Sequence, residues 1–348
     1  MKGGRAKDPV RAPRSRPPPS RLRFAQETLH PGRWLESRRT VVGLALLGSI
    51  ALTALFADLL AGHAPLVTRA GGELRVLPGL LHPRTPVPSA EGAFEVAPPV
   101  RWNPGEPSLH PLAAPSSEHR LGTDERGRDV LSRLLHGART TIGTGFAVVA
   151  VALVGGLFAG ALASQAGGAW GGRLDRAARA LDGFPAILAV AVVRAIQGHG
   201  STLSVFVGAA LLQWASVARL VRAEVLRLST EDFVLAARAM GASRARILAG
   251  HLLPHLAAPL ASSCALGLGA VATLEATLSF LGLGPPSEVP SWGEMIAEGA
   301  RHPERTLLLG APAVLLALTV VAAYLLADAL RDASDPVATR KADVDADA

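Results

Sequence analysis

Six apolar stretches close to membrane-spanning length occupy most of the chain: Val41 to Leu60, Thr140 to Ser164, Ala180 to Ile196, Thr202 to Leu220, Ala257 to Leu281 and Thr306 to Ala327. At ~1.5 Å rise per residue, about 20 apolar residues carry a helix across a bilayer core. The expected fold is therefore all-α, a polytopic membrane protein with six transmembrane helices. The third stretch is the weakest, being short and carrying Pro185 and Arg194. A 49% hydrophobic and 18% charged composition agrees with this class.

Several other classes fall away. The net charge of +7 would suit a nucleic-acid partner, but only 4% of residues are aromatic and no basic stripe is interleaved with stacking side chains. The single cysteine, Cys264, rules out an internal disulfide and a cysteine-built metal site. A phosphate-binding P-loop needs Gly-Lys followed by Ser or Thr, yet Lys2, Lys7 and Lys341 are not preceded by glycine. Neither His-Glu-x-x-His nor G-x-S-x-G occurs, so no hydrolytic motif and no cofactor site is expected, and His199 and His251 read as surface residues.

Flanking charge gives the orientation. Met1 to Thr40 holds eleven Lys or Arg, whereas Ala61 to Ser117 has four basic and four acidic residues. Short basic flanks stay cytoplasmic, which places both termini inside and the loop with Glu288, Glu294, Glu298 and Glu304 outside. The organisation expected is a Pro-rich cytoplasmic tail over 1–40, a first span over 41–60 and an external region over 61–120. A transport core over 121–330 and a cytoplasmic tail over 331–348 complete it. The first span is long enough to be an uncleaved anchor. Proline and glycine between His63 and Pro115 predict irregular structure with one hairpin.

Two segments carry local signals. In Leu121 to Arg139, Thr123 reads as an N-cap, with Val130, Leu131, Leu134 and Leu135 forming the apolar face of a helix on the outer membrane surface. Between the fourth and fifth spans, about 229–254, lies a glycine-broken pair of helices. The first reads Glu231-Asp232-Phe233-Val234-Leu235-Ala236-Ala237-Arg238-Ala239-Met240-Gly241, with Ser229 and Asp232 spaced as a capping box. Phe233, Ala236, Ala237 and Met240 fall at helical spacing on one face. Gly241 ends that helix, Ser243 caps the next, and Leu253-Pro254 closes it. Periodicity alone fits equally a docking lever and a helix packed under its own bundle.

Ala236-Ala237 with Gly241 and Leu253-Pro254 resembles the EAA loop of inner-membrane subunits of binding-protein-dependent ABC importers. Leu121-Gly-Thr-Asp, Gly127-Arg-Asp-Val-Leu-Ser-Arg133, Leu274-Glu-Ala-Thr-Leu-Ser-Phe-Leu-Gly-Leu-Gly284, Pro290-Ser-Trp-Gly293 and Leu330-Arg-Asp-Ala-Ser-Asp-Pro336 follow in order. Together they are similar to the second permease subunit of dipeptide and oligopeptide importers. The resemblance implies a bacterial inner-membrane permease that moves peptides and pairs with a homologous permease, two cytoplasmic ATPases that bind the ATP, and an external solute-binding protein. It implies that residues 231–241 insert into a cleft of an ATPase.

The chain departs from that pattern at Leu235, which stands where the loop's glutamate is usual, with Glu231 and Asp232 just upstream. The external stretch is also long, and Pro65-Leu-Val-Thr-Arg69 is similar to a peptide-antibiotic-importing branch, so the cargo class stays open, nickel chelates and glutathione-like compounds included. Polar groups within spans face cavities or other helices. Glu275, Gln213 and Trp214 are the candidates for a translocation path, although for Glu275 the reading as a hydrogen-bonded structural carboxylate is the stronger of the two. Arg194 and Asp58 read as residues at span ends, and Gly155, Gly156 and Gly160 as a helix-packing surface. A secondary transporter that runs without ATP, or a membrane scaffold, is the alternative.

Overall fold

The computed structural model describes residues 37–70, 73–76, 94–108, 110–165, 168–197 and 202–332. The expected tails over 1–36 and 333–348 lie outside these residues, as does the apolar run Leu77 to Leu81. Helices α1 (Arg38–Leu55) and α2 (Ala57–Leu60) lead into strands β1 (Val67–Ala70), β2 (Glu73–Val76) and β3 (Phe94–Val96). These form an antiparallel sheet in the order β2-β1-β3, with Val67 opposite both Val76 and Val96. The hairpin expected here is β1–β2, and a third strand joins it.

Helices then account for nearly everything: α3 (Val130–Gln165), α4 (Gly168–Asp182), α5 (Ala186–Gln197) and α6 (Thr202–Leu228) come first. They are followed by α7 (Asp232–Ala239), α8 (Arg244–Ile247), a π-turn (Leu248–Leu252), α9 (Leu253–Phe280), α10 (Trp292–Arg301) and α11 (Thr306–Asp332). Among the described residues, five helical runs are long and apolar enough to cross a membrane: Arg38–Leu55, Val130–Gln165, Leu203–Leu228, Arg244–Phe280 and Thr306–Asp332. The expected count of six is thus corrected to five plus one short helix. The stretch Ala180 to Ile196 is broken at Gly183-Phe184-Pro185, because a residue preceding proline is pushed out of the helical region, and only 12 residues remain in α5.

α3 and α6 run against each other, α9 packs on α11, and α11 on α1. Small residues set the closest approach. A methyl on Gly160 would sit 2.7 Å from Val221 Cβ, and one on Gly156 2.8 Å from the Trp214 carbonyl oxygen, so both positions exclude any side chain. Gly155, by contrast, borders the same contact, where a methyl would meet Trp214 Cβ at an ordinary 3.9 Å, so a side chain there is not excluded. α5 lies on α6, and α4 is tied to the far half of α6 by Asp175 and Arg222 at 2.9 Å.

The expected interfacial helix over Leu121 to Arg139 is corrected as well. Residues 121–129 form a turn-rich strap, and α3 runs unbroken from Val130 into the second span. The reason is a cap at Asp129: its Oδ1 accepts the Ser132 N–H at 2.7 Å, satisfying a first-turn donor. Thr123 instead accepts from Ala113 N–H at 2.8 Å and donates to the His110 carbonyl at 2.6 Å. With 36 residues α3 extends about 54 Å, far beyond a ~30 Å hydrocarbon layer, so its first turns stand clear of lipid.

Candidate functional site

The glycine-broken segment forms a short lever at one end of the bundle. Val234 and Ala237 are buried beside Val221, Val225, Ile247, Leu252 and Leu256, with Phe233 packed against that cluster. The Phe233 ring stacks on His255 of α9, centroids 5.1 Å apart. The opposite face shows Asp232, Leu235, Ala236, Ala239 and Met240 to solvent, with Leu235 50% and Met240 82% exposed. The expected face is therefore split: Phe233 and Ala237 anchor, while Ala236 and Met240 point away. Glu231 occupies the cap position with no side-chain cap bond, and Ser229 Oγ donates to the Val225 carbonyl, so the capping box does not form. Arg238 is exposed near the last turn of α7.

Gly241 ends α7 with φ +81°, a conformation that disfavours any side chain. Its N–H bonds the Arg238 carbonyl and the Ala242 N–H the Ala237 carbonyl, both at 3.0 Å, the paired closure of a Schellman turn. Ser243 accepts the Arg246 N–H at 3.3 Å and so caps α8, as its position predicts. The next turn is a π-turn in which Leu253 N–H reaches back to the Leu248 carbonyl. Such insertions are rare and cluster at functional places.

Of the three intramembrane candidates, Glu275 is 1% exposed. Thr141 donates to its Oε2 at 3.0 Å and Ser279 to its Oε1 at 2.9 Å. Gln213 and Trp214 are half-buried on α6, and a methyl on Gly267 of α9 would meet Gln213 Nε2, so Gln213 lies along the α6–α9 contact. Arg194 donates to the Gly284 carbonyl at 3.1 Å, and Asp58 pairs with Arg139 at 3.0 Å and His136 at 3.3 Å.

At the opposite end from the lever, the strap and α10 are joined by a charged cluster that the sequence reading did not assemble. Asp124 and Arg133 are fully buried, and Arg128 nearly so. Arg128 Nε donates to Asp124 Oδ2 at 2.6 Å, Arg133 Nε lies 3.2 Å from the same oxygen, and Arg133 Nη2 bonds Glu294. Glu298 Oε1 accepts the Glu125 N–H at 2.7 Å, while Glu125 receives Arg301 Nε at 2.9 Å and Nη2 at 3.1 Å. Burial, only partly opposed by Arg133 and Arg128, lifts the Glu294 carboxyl above its ordinary range. Burial and the neighbouring Asp124 lift Glu298 likewise. The Arg301 hydrogen bonds hold Glu125 below that range, against a weaker push from burial. The signal in the sequence was the i, i+4 spacing of Asp124 with Arg128 and of Glu294 with Glu298.

Membrane-length helices packed through small residues, a solvent-facing lever and buried charges beyond the lipid define a polytopic membrane protein of the permease class. The family described as the binding-protein-dependent transport system inner membrane component matches residues 138–340, and the chain belongs to that family. The dipeptide transport system permease protein DppC of Alkalihalophilus pseudofirmus is 35% identical over 228 residues, covering 65% of this chain and 74% of that protein. The di/tripeptide permease DppC of Pseudomonas aeruginosa is 35% identical over 217 residues, 62% and 71% of the two chains. A chain of the MetNI methionine ABC transporter in an inward-facing conformation overlays with TM-score 0.48 at 20% identity, covering 58% of this chain and 97% of that one.

Proposed function

We propose that this chain is the permease subunit of an ATP-driven importer that brings short peptides or peptide-like compounds across the bacterial inner membrane into the cytoplasm. Both termini and the α7 lever lie on the cytoplasmic side, in keeping with the basic flanks. The partners are a homologous permease, two cytoplasmic ATPases and an external solute-binding protein, and ATP is bound and hydrolysed by the ATPases. The peptide cargo is the one carried in the names of the relatives. The observation that carries the reading is the division of α7 into an anchored and a free face. Val234 and Ala237 fix it to the spans, while Leu235, Ala236, Ala239 and Met240 are left for another protein.

Motion follows from that anchoring. When the ATPase pair closes on nucleotide, α7 moves with it, and the shared apolar cluster and the Phe233–His255 stack transmit the shift to α6 and α9. The spans then rock between inward- and outward-open states, biased by the differential affinity of the motor for nucleotide in each. The test is Leu235→Arg in the assembled complex reconstituted in vesicles. Because Leu235 is half exposed, the bundle keeps its thermal midpoint, while ATPase stimulation by the binding protein and peptide uptake fall together. Unchanged uptake and stimulation would remove the coupling role.

A further inference from the structure

A cavity of about 230 Å³ opens beside the charged cluster, between the strap, the turn after α9 and α10. Its wall carries three carboxylates, Glu125, Glu294 and Glu298, and three guanidiniums, Arg126, Arg128 and Arg301. Most are matched to one another. Arg301 is bidentate on Glu125, Arg128 serves Asp124 and the Ser287 carbonyl, and Glu294 takes Arg133. Glu298 is held more loosely: its Oε1 takes the Glu125 N–H, and its ion pair with Arg128 is long. It is 2% exposed, and its Oε2 has no hydrogen-bond partner, with Arg128 Nη2 standing off at 3.7 Å. A buried acceptor left in this condition is costly and draws a donor. Arg126 lies exposed at the mouth of the same cavity.

We propose that this cavity is a binding site for a short zwitterionic peptide, amino end first, its ammonium donating to Glu298 Oε2 and its carboxylate meeting Arg126 at the rim. The assignment rests on the import function above and names the ligand class the permease itself touches. A primary ammonium suits the deep position, since it is compact and makes a charge-assisted bond to a single free oxygen. The volume lies below the ~300–1,000 Å³ usual for drug-sized ligands, which restricts the occupant to a few residues. Arg126 supplies the opposite charge needed for the other terminus, so a free N-terminus and a free C-terminus are both read.

The experiment is equilibrium binding of radiolabelled dialanine to the purified permease–ATPase complex without its binding protein. Wild type should bind, Glu298→Gln should weaken binding about tenfold or more, and Arg126→Ala should weaken it less. N-acetyl-dialanine should fail to compete. Ala297→Phe fills the cavity from α10 without touching an ion pair and should abolish binding even where the Glu298 variant does not assemble. Absence of wild-type binding at millimolar peptide, or binding that both variants leave unchanged, would overturn the site. Competition by ethylammonium or sodium as strong as by dialanine would overturn the peptide assignment. Peptide uptake measured in parallel separates these failures from failure of the import function: uptake that persists leaves the permease reading intact.

Discussion

Thr141 on α3 holds Glu275 on α9, donating to Oε2 at 3.0 Å while accepting the Trp292 backbone N–H at 3.2 Å. One hydroxyl thus joins two spans and the start of α10, and all three residues are buried. The joint is directional, since the hydroxyl is spent both as donor and as acceptor.

Thr141→Val keeps the shape and removes that hydroxyl, taking one donor from the buried Glu275 carboxyl and its acceptor from the buried Trp292 N–H. The expected loss is about 2–3 kcal/mol of stability, read as a lower thermal midpoint of the purified complex. Thr141→Ser restores most of it, which separates the hydrogen bonds from simple packing.

Two glycines of α3 should respond in opposite ways to the same added methyl. Gly160→Ala drives a Cβ into the Ala218 carbonyl oxygen and Val221 and is expected to destabilise by about 1–3 kcal/mol. Gly143→Ala meets nothing within 4 Å and gains helix propensity, so its thermal midpoint should hold or rise. A comparison of both variants in one detergent and at one pH decides the matter.

At the lever, Gly241→Val places a β-branched side chain at φ +81° and costs about 1–2 kcal/mol locally. The helices that span the membrane do not depend on this turn. Uptake should therefore drop several-fold while the melting of the bundle is little changed, and Gly241→Asn should fall between, because asparagine tolerates the left-handed region better.

Glu125 gives a pH dependence whose sign is fixed. Its carboxyl is held below the ordinary value of 4.5 by Arg301, so it contributes stability that is present above 4.5 and lost as pH falls through the lowered value. The pair is partly exposed, which limits the contribution to about 1 kcal/mol or less. Thermal midpoints taken between pH 6 and pH 3 should show an acid limb that is shallower in Glu125→Gln than in wild type.

Apolar length made the long spans legible, because a membrane helix announces itself in composition alone. The lever was legible too, since Gly241 and Ser243 mark local chain geometry. What escaped was set by tertiary contacts. Ala236 and Ala237 are adjacent in sequence and chemically alike, yet only Ala237 meets the core cluster. Thr123 has the chemistry of a cap and serves the strap instead, while Asp129 caps α3. Arg133 is only the last position of a motif in the sequence, and folding alone brings Glu294, 161 positions away, to meet it.

The π-turn at Leu248–Leu252 determines how the lever is clocked on the span behind it. In a regular helix Ile247 and Leu252 would point about 140° apart, yet here both enter the apolar cluster that also holds Val234. Removing one residue from this wide turn would close it to an ordinary helix with these two side chains about 40° apart and the phase nearly kept, whereas adding one residue to the regular helix beside it would swing everything upstream by roughly 100° and turn Leu235 and Met240 to another azimuth. In this stretch the number of residues, more than their identity, fixes which face of α7 is turned to the spans and which to solvent.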